Sequence, residues 1–330
     1  MTNSSAVPVS TTGFHFKSLT YSGLKPGSRL IILGAVHGNE TCGTQAIRRV
    51  LDEIDSGKLN IVSGSVTLVP ITNPLAHARG ERGGDRNLNR NLTPTAQPKD
   101  FEDHIGNWLC PLLAQHEVLL DLHSTRARNP PFAMLGPEDN SDTLQPFSLA
   151  VKERTLARHL GVNRFVDGWL ETYALGVKRR VRAAREGAKL NPHNTDPRYG
   201  VGTTEYMRSA GGYAITLECG SHDDPDSPEV GYRAIHNTLA HLGITDAAPT
   251  TTVEDYEALR MYEVIDKAHA GDTFSREWSS FDRLSKGDLI GTRHDGKPVL
   301  AETDGRILFP DAKAEPGHEW FYFTKAVSSI

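Results

Sequence analysis

The stretch LIILGAVHGNETCG, residues 30–43, sets the reading of the whole chain. Leu30 to Leu33 form an apolar run short enough for a strand buried on both faces. The run ends at Gly34, and His37 and Glu40 follow, three residues apart. Ile47, Val50, Leu51 and Ile54 then recur at helical spacing until Ser56 and Gly57 stop the pattern. A buried strand, a turn carrying two metal-competent side chains and an amphipathic helix read as the start of an α/β sheet with its chemistry at the strand ends.

The alternation continues outward from there. SVTLVPI (residues 65–71) reads as a second strand, near an edge because of Pro70. Residues 101–115 read as a helix that Pro111 kinks or breaks. EVLLDL (117–122) is a compact buried strand, 147–160 a helix, YAITLE (213–218) a strand and 229–242 a helix. Alternating elements of this kind predict an α/β sheet with helices on both faces. Residues 187–202, rich in Asn, Pro and Gly, are expected to form a long loop in which His193 could reach substrate. Near residue 246 the texture changes to short apolar segments separated by Gly and Asp turns. The expected division is a catalytic domain over 1–245 and a small all-β domain over 250–330.

With 330 residues the chain can bury a proper core, and 38% apolar and 23% charged residues are ordinary for a globular protein. A formal charge of −5 argues against a global attraction to nucleic acid or anionic membrane. No apolar stretch is long enough for a bilayer span, and the first residues lack the basic and apolar regions of a signal peptide. Cys42, Cys110 and Cys219 are odd in number and form no CxxC pair, which fits a reducing, cytoplasmic setting. The expected partner is a small molecule, and a homo-oligomer is left open.

Three groups stand at or just past strand ends: His37 with Glu40, His123 in LLDLHST, and Glu218 in AITLECG. Two imidazoles and one carboxylate make a common catalytic zinc set, with a coordination position left for water. Glu218 by itself reads either as catalytic or as a structural acid paired with an arginine. In TNPLAHARGERGGDRNLNRNL (72–92), Arg79, Arg82, Arg86 and Arg90 stand beside Asn73, Asn87 and Asn89. An RNA patch would need interleaved aromatics for stacking, and there are none. A pocket in which arginine forks grip a small carboxylate fits better.

Taken together, these residues resemble the aspartoacylase/succinylglutamate desuccinylase family, a branch of the zinc-carboxypeptidase-like fold. The matching pieces are HGNE at 37–40, Asn73-Pro74, the run Asn87-Leu88-Asn89-Arg90, Asp121-Leu122-His123-Ser124-Thr125 and the Glu218 strand. Arg82 lies seven residues before Asn89 and Arg208 ten before Glu218, as in that family's pattern. The resemblance covers roughly 28–245, and the C-terminal β region also fits. It implies a mixed sheet flanked by helices and one zinc ion held by His37, Glu40 and His123, with Asp121 orienting a histidine ligand. It further implies Glu218 as general base, Arg82 on the oxyanion, and Asn89, Arg90 and Arg208 on the substrate's carboxylate. The implied reaction is hydrolysis of a small N-acyl amino acid, with a metallocarboxypeptidase acting on short peptides as the alternative. The C-terminal region is expected to wall the cleft against long chains. Two departures bear on the substrate: Asn87 stands where the family has Asp, and Thr204 where aspartoacylases carry Tyr, with Tyr206 nearby. His77, His222 and His294 read as surface histidines.

Overall fold

The computed structural model describes residues 13–185 and 195–330. The first half of the expected loop, 187–194 with His193, lies outside the described residues; the second half, 195–202, carries a single 3-10 turn over Pro197–Gly200. In chain order the first half runs β1 (Leu19–Ser22), β2 (Lys25–Leu33), α1 (Cys42–Asp55), β3 (Ser63–Val69), α2 (Pro74–Arg79), α3 (Phe101–Leu113), β4 (Val118–Thr125), β5 (Phe132–Met134), α4 (Ala150–Ala157) and β6 (Arg164–Asp167). There follow α5 (Trp169–Arg185), α6 (Thr203–Ser209), β7 (Tyr213–Ser221) and α7 (Ser227–His241). The rest is β8 (Glu257–Asp266), β9 (Thr273–Phe274), β10 (Arg283–Leu284), β11 (Leu289–Thr292), β12 (Pro298–Leu300), β13 (Gly305–Leu308) and β14 (Glu319–Ala326).

Eleven strands form one sheet in the order β1-β3-β2-β4-β7-β5-β6-β8-β14-β13-β10, and β12-β11-β9 form a separate small sheet. The centre is parallel, β3 with β2, β2 with β4 and β4 with β7. The flanks are mixed: β1 and β5 run antiparallel to their inner neighbours, whereas β8 runs parallel to β6. Alternation along β2 shows why helices cover both faces. Leu30 and Ile32 pack into one core with Ile47 and Val50 of α1 and Ile235 of α7. Ile31 and Leu33 pack into another with Ile105 and Leu109 of α3.

The expected elements are present with shifted ends. β3 is the second strand from the edge, covered by β1, and Pro70 falls just past it. α3 runs on through Pro111. The proline sits in the last turn on an exposed position, where it costs one backbone bond and the carbonyl it leaves can turn to water. β4 continues through His123 to Thr125, so that ligand candidate lies inside the strand.

Residues 250–330 are all β beyond the connecting segment, and β8 and β14 extend the large sheet. Phe132 and Val166 of the first part share one apolar cluster with Leu259, Phe281, Leu308 and Tyr322 of the second.

Candidate active site

The site is built where β2, β3, β4 and β7 end. After β2 the chain turns through Ala35, held at a positive φ of 47°. The loop that follows β3 fixes this turn: Thr72 N donates to Gly34 O at 2.9 Å and Asn73 N to Ala35 O at 3.0 Å. Gly38 presses on α2, where a Cβ would lie 2.0 Å from the carbonyl carbon of Ala76. Only glycine fits that contact. Thus locked, the turn delivers His37 and Glu40, 2% and 1% exposed, beneath the end of β4.

His37, Glu40 and His123 converge, each with a donor atom within 4.8 Å of the others. His37 Nδ1 lies 2.9 Å from Glu40 Oε1, yet it is buried and makes no hydrogen bond. Its other nitrogen, Nε2, donates to Asn87 Oδ1 at 3.0 Å. Burial, reinforced by the charge of Arg82, lowers the His37 pKa to about 4. The ring is therefore neutral, with a free lone pair on Nδ1. His123 Nδ1 donates to Glu40 Oε2 at 2.8 Å, and Nε2 lies 3.0 Å from Asp121 Oδ2. Burial opposes a charge on His123, but Asp121 and Glu40 outweigh it and hold its pKa well above the usual value. Two imidazoles backed by an amide and a carboxylate, with a second carboxylate between them, form a donor set that fits a divalent cation. The buried Nδ1 of His37, facing Glu40 without a well-aligned hydrogen bond, offers such a cation a lone pair.

Glu218 pairs in register with His123 across β4 and β7. Its Oε2 is buried without a hydrogen-bond partner. Burial raises its pKa to about 8, with nearby His123 and Arg82 pulling the other way. Arg82 reaches over from the loop after α2, half exposed, and donates to Glu40 Oε1 at 2.8 Å.

A cavity of about 480 Å³ opens over this group, and Glu218, Arg82, Asn89, Arg90 and Arg208 all line it. The Arg90 guanidinium stacks 4.7 Å above Trp169 and bonds Asn89 O at 2.8 Å. Asn89 Oδ1 is occupied by Thr203 N at 2.9 Å, which leaves the amide nitrogen to donate. Arg208 is different: its fork is spent on Glu153, at 2.8 and 3.2 Å, and on Ala214 O at 2.6 Å. Its Nη1 is 3.7 Å from Glu205.

Sequence reasoning missed three parts of this cavity. His222 is half-buried and lines the wall, with Ser124 Oγ 2.9 Å from its Nδ1 and the Asn39 amide nitrogen 3.4 Å from its Nε2. Tyr322 of β14 lines the opposite side, its hydroxyl buried and unpartnered. Trp169 begins a helix that was not anticipated. His222 lies four residues beyond Glu218, the one available clue. Tyr322 and Trp169 carry no local motif. Phe309, Asp311, Glu315 and His318 complete a wall contributed by the C-terminal region.

Residues 26–145 match the family model described as the succinylglutamate desuccinylase/aspartoacylase catalytic domain. An N-acyl-aromatic-L-amino acid amidohydrolase (carboxylate-forming) of Rattus norvegicus is 36% identical over 115 residues, a match spanning 31% of this chain and 35% of that protein. The fold is similar to that of a succinylglutamate desuccinylase/aspartoacylase from Rhodobacter sphaeroides, with a TM-score of 0.70 at 16% identity over 95% of this chain and 90% of that one. It is also similar to a succinylglutamate desuccinylase from Vibrio cholerae, with a TM-score of 0.67 at 18% identity over 91% and 82% of the two chains. Among the described residues, no helix is long and apolar enough to cross a membrane.

Proposed function

We propose that this chain, which carries the succinylglutamate desuccinylase/aspartoacylase catalytic-domain pattern over residues 26–145, hydrolyses the amide bond of a small N-acyl amino acid with the help of one zinc ion. The observation that carries the reading is the convergence of His37, Glu40 and His123 beside the unpartnered carboxylate of Glu218, in a cavity that also holds Arg90.

His37 Nδ1, Glu40 and His123 Nδ1 would hold the metal, and Asn87 and Asp121 would fix the two rings through their outer nitrogens. When bound, zinc acidifies water and polarises a carbonyl oxygen. Glu218 takes the proton from the attacking water on its free oxygen and hands it to the leaving amine. Arg82 supports the negative charge that develops on the carbonyl oxygen. Asn89 and Arg90 hold the substrate's carboxylate so that the amide lies against the metal group. Arg208 lines the same cavity, but Glu153 takes up its fork and neutralises its charge, so the carboxylate rests on Asn89 and Arg90. The products are a carboxylic acid and a free amine.

The C-terminal wall supports a small substrate over a long peptide. Zinc-loaded protein should cleave members of a panel of N-acetyl, N-succinyl and N-formyl amino acids and lose that activity on chelation. Blocked dipeptides in the same panel test the carboxypeptidase alternative. No cleavage of any acyl amino acid after confirmed zinc loading would sink the proposal.

A further inference from the structure

A second, larger cleft of about 1290 Å³ lies beside the catalytic cavity. β14 borders both: Glu319 and Tyr322 line the catalytic cavity, and Trp320 lines the second cleft. Lys267, the residue after β8, lines the second cleft as well. The hydrolysis reading uses neither Trp320 nor Lys267.

Lys267 is 6% exposed, yet its ammonium makes a single hydrogen bond among the described residues, Nζ donating to Ala312 O at 2.8 Å. It forms no ion pair among them. A buried lysine is ordinarily paired with an acid. The acids on the segments that hold it are engaged elsewhere. Asp266, the residue before it, binds Arg180 through both oxygens. Asp272 accepts from Arg293 and from the N–H groups of Ala268, His269 and His294. Asp311, the residue before Ala312, holds Arg126. One positive charge is therefore left over on the cleft wall.

Trp320 supplies a second unspent donor. The residue is 0% exposed, and its Nε1 is buried with no hydrogen-bond partner. A buried donor without an acceptor is costly. Phe274 stacks on the indole with ring centroids 4.4 Å apart, and the Arg293 guanidinium lies 5.3 Å from its centroid, which holds the ring in place. One loop ties the two donors together: Asp311 N donates to Trp320 O at 2.9 Å, and the carbonyl of the next residue takes Lys267 Nζ. The cleft as a whole is lined by six cationic and six acidic side chains, so its attraction for an anion is local to Lys267.

We propose that Lys267 Nζ and Trp320 Nε1 form a second binding site, separate from the catalytic cavity, for a small oxyanion: a carboxylate or phosphate group that accepts from both donors. The ammonium supplies the charge and the indole N–H holds a second oxygen. Pro310, Asp311 and Lys313 line both cavities, so a bound anion sits against the segment that walls the catalytic one. The site stands whether or not the chain is an amide hydrolase.

The indole N–H signals of 15N-labelled protein test this at the site itself. The chain has four tryptophans, and Trp320→Phe, or substitution of the other three, assigns the Trp320 signal. Trp169, beneath Arg90, reports anions that enter the catalytic cavity instead. Acetate and inorganic phosphate are titrated at constant ionic strength, with chloride as the reference. The Trp320 signal should move saturably, with a midpoint of roughly 1–10 mM. Lys267→Met should weaken that binding by about tenfold or more, the scale of one charge-assisted hydrogen bond, and Lys267→Arg should keep most of it. The tighter of the two curves tells whether the site takes a carboxylate or a phosphate. A Trp320 signal that moves no more with either oxyanion than with chloride overturns the proposal, as does a shift confined to Trp169 or one equal in wild type and Lys267→Met; water alone then serves both donors. If Lys267→Met does not fold, the wild-type comparison with chloride decides.

Discussion

A carboxylate buried against a neighbouring histidine is costly unless it has work to do. Glu218 is such a group, 7% exposed, with one oxygen unpartnered beside His123. Glu218→Gln should retain zinc and substrate binding and lose roughly 10²–10⁴-fold in kcat, the range of general acid–base catalysis. Steady-state kinetics with metal analysis checks this, and near wild-type kcat would return Glu218 to a structural role. The metal group makes its own prediction. Without metal, Asp121 and Glu40 overcome the effect of burial and keep His123 protonated, with its Nδ1 proton directed at Glu40. A zinc ion needs that nitrogen's lone pair, so binding near pH 7 should release a proton and weaken as pH falls. Calorimetry in buffers of different ionisation enthalpy would detect the release; an apparent enthalpy independent of buffer contradicts it. Arg90 carries the third expectation at this scale. Arg90→Lys keeps the charge but loses both the planar fork and the stack on Trp169. It should cost tenfold or more in kcat/KM, mainly through KM, and should spare an N-acyl amine lacking the carboxylate. Equal losses on both substrates would make Arg90 a support of the site. Of these groups, His37, Glu40, His123 and Glu218 were legible because each follows a short apolar run. Trp169 and Tyr322 were not, because they reach the cavity from distant segments by tertiary packing alone.

At the scale of elements, the turn between β2 and α1 does most of the positioning. A methyl group on Gly38 would collide with the backbone of α2, which cannot rotate aside as a side chain can. Gly38→Ala should therefore lower stability by about 1–3 kcal/mol, the usual cost of overpacking, and should weaken zinc retention because the displaced turn carries His37 and Glu40. Chemical denaturation and metal analysis of the same sample read both effects, and unchanged zinc content would mean that the turn tolerates the shift. The 267–272 turn between β8 and β9 offers a pH test. Burial opposes the charge of Asp272, but Arg293 and the backbone N–H groups of His294, Ala268 and His269 outweigh it, and its pKa falls to about 2. A depressed carboxylate stabilises the fold above its unfolded value near 4 and loses that contribution as pH falls toward 2. Asp272→Asn should lower Tm at pH 5, and the gap to wild type should narrow as pH falls through 3; a gap that widens on acidification reverses the sign and refutes the assignment. Strands at this scale were easy to read: β2, β4 and β7 are buried on both faces and appear as apolar runs. α5 was hidden because its charged residues are dense, and because two of them are anchored by acids of β8 that no local pattern reveals: Arg180 by Asp266 and Arg179 by Glu263.

Across the whole molecule, the large sheet does not end where the sequence texture changes. β8 pairs with β6 over Arg164–Asp167, and β14 pairs with β8 along most of its length. The change of texture near residue 246 marks a change from helix-covered to turn-linked strands; short segments bounded by Gly and Asp do not disclose which sheet they will join. β14 then does two jobs: its pairing continues the sheet, and Tyr322 and Glu319 line the cavity over His37, His123 and Glu218. Removing residues 250–330 would strip the outer edge of β6, leaving unpaired N–H and C=O groups along it. It would also bare Phe132 and Val166, which are 0% exposed in the intact chain. An open strand edge beside uncovered aromatic and aliphatic side chains is the arrangement that drives edge-to-edge association. The truncated chain should therefore be recovered largely as aggregate, and any soluble fraction should lose selectivity for small acyl amino acids because the wall from Phe309 to Tyr322 is gone. Size-exclusion chromatography and thermal melting of the truncated protein, with the substrate panel run on the monomer peak, measure both consequences. A monodisperse monomer with wild-type Tm and unchanged selectivity would mean that residues 1–249 fold and discriminate by themselves, and that β8 and β14 are accessories to a sheet that closes without them.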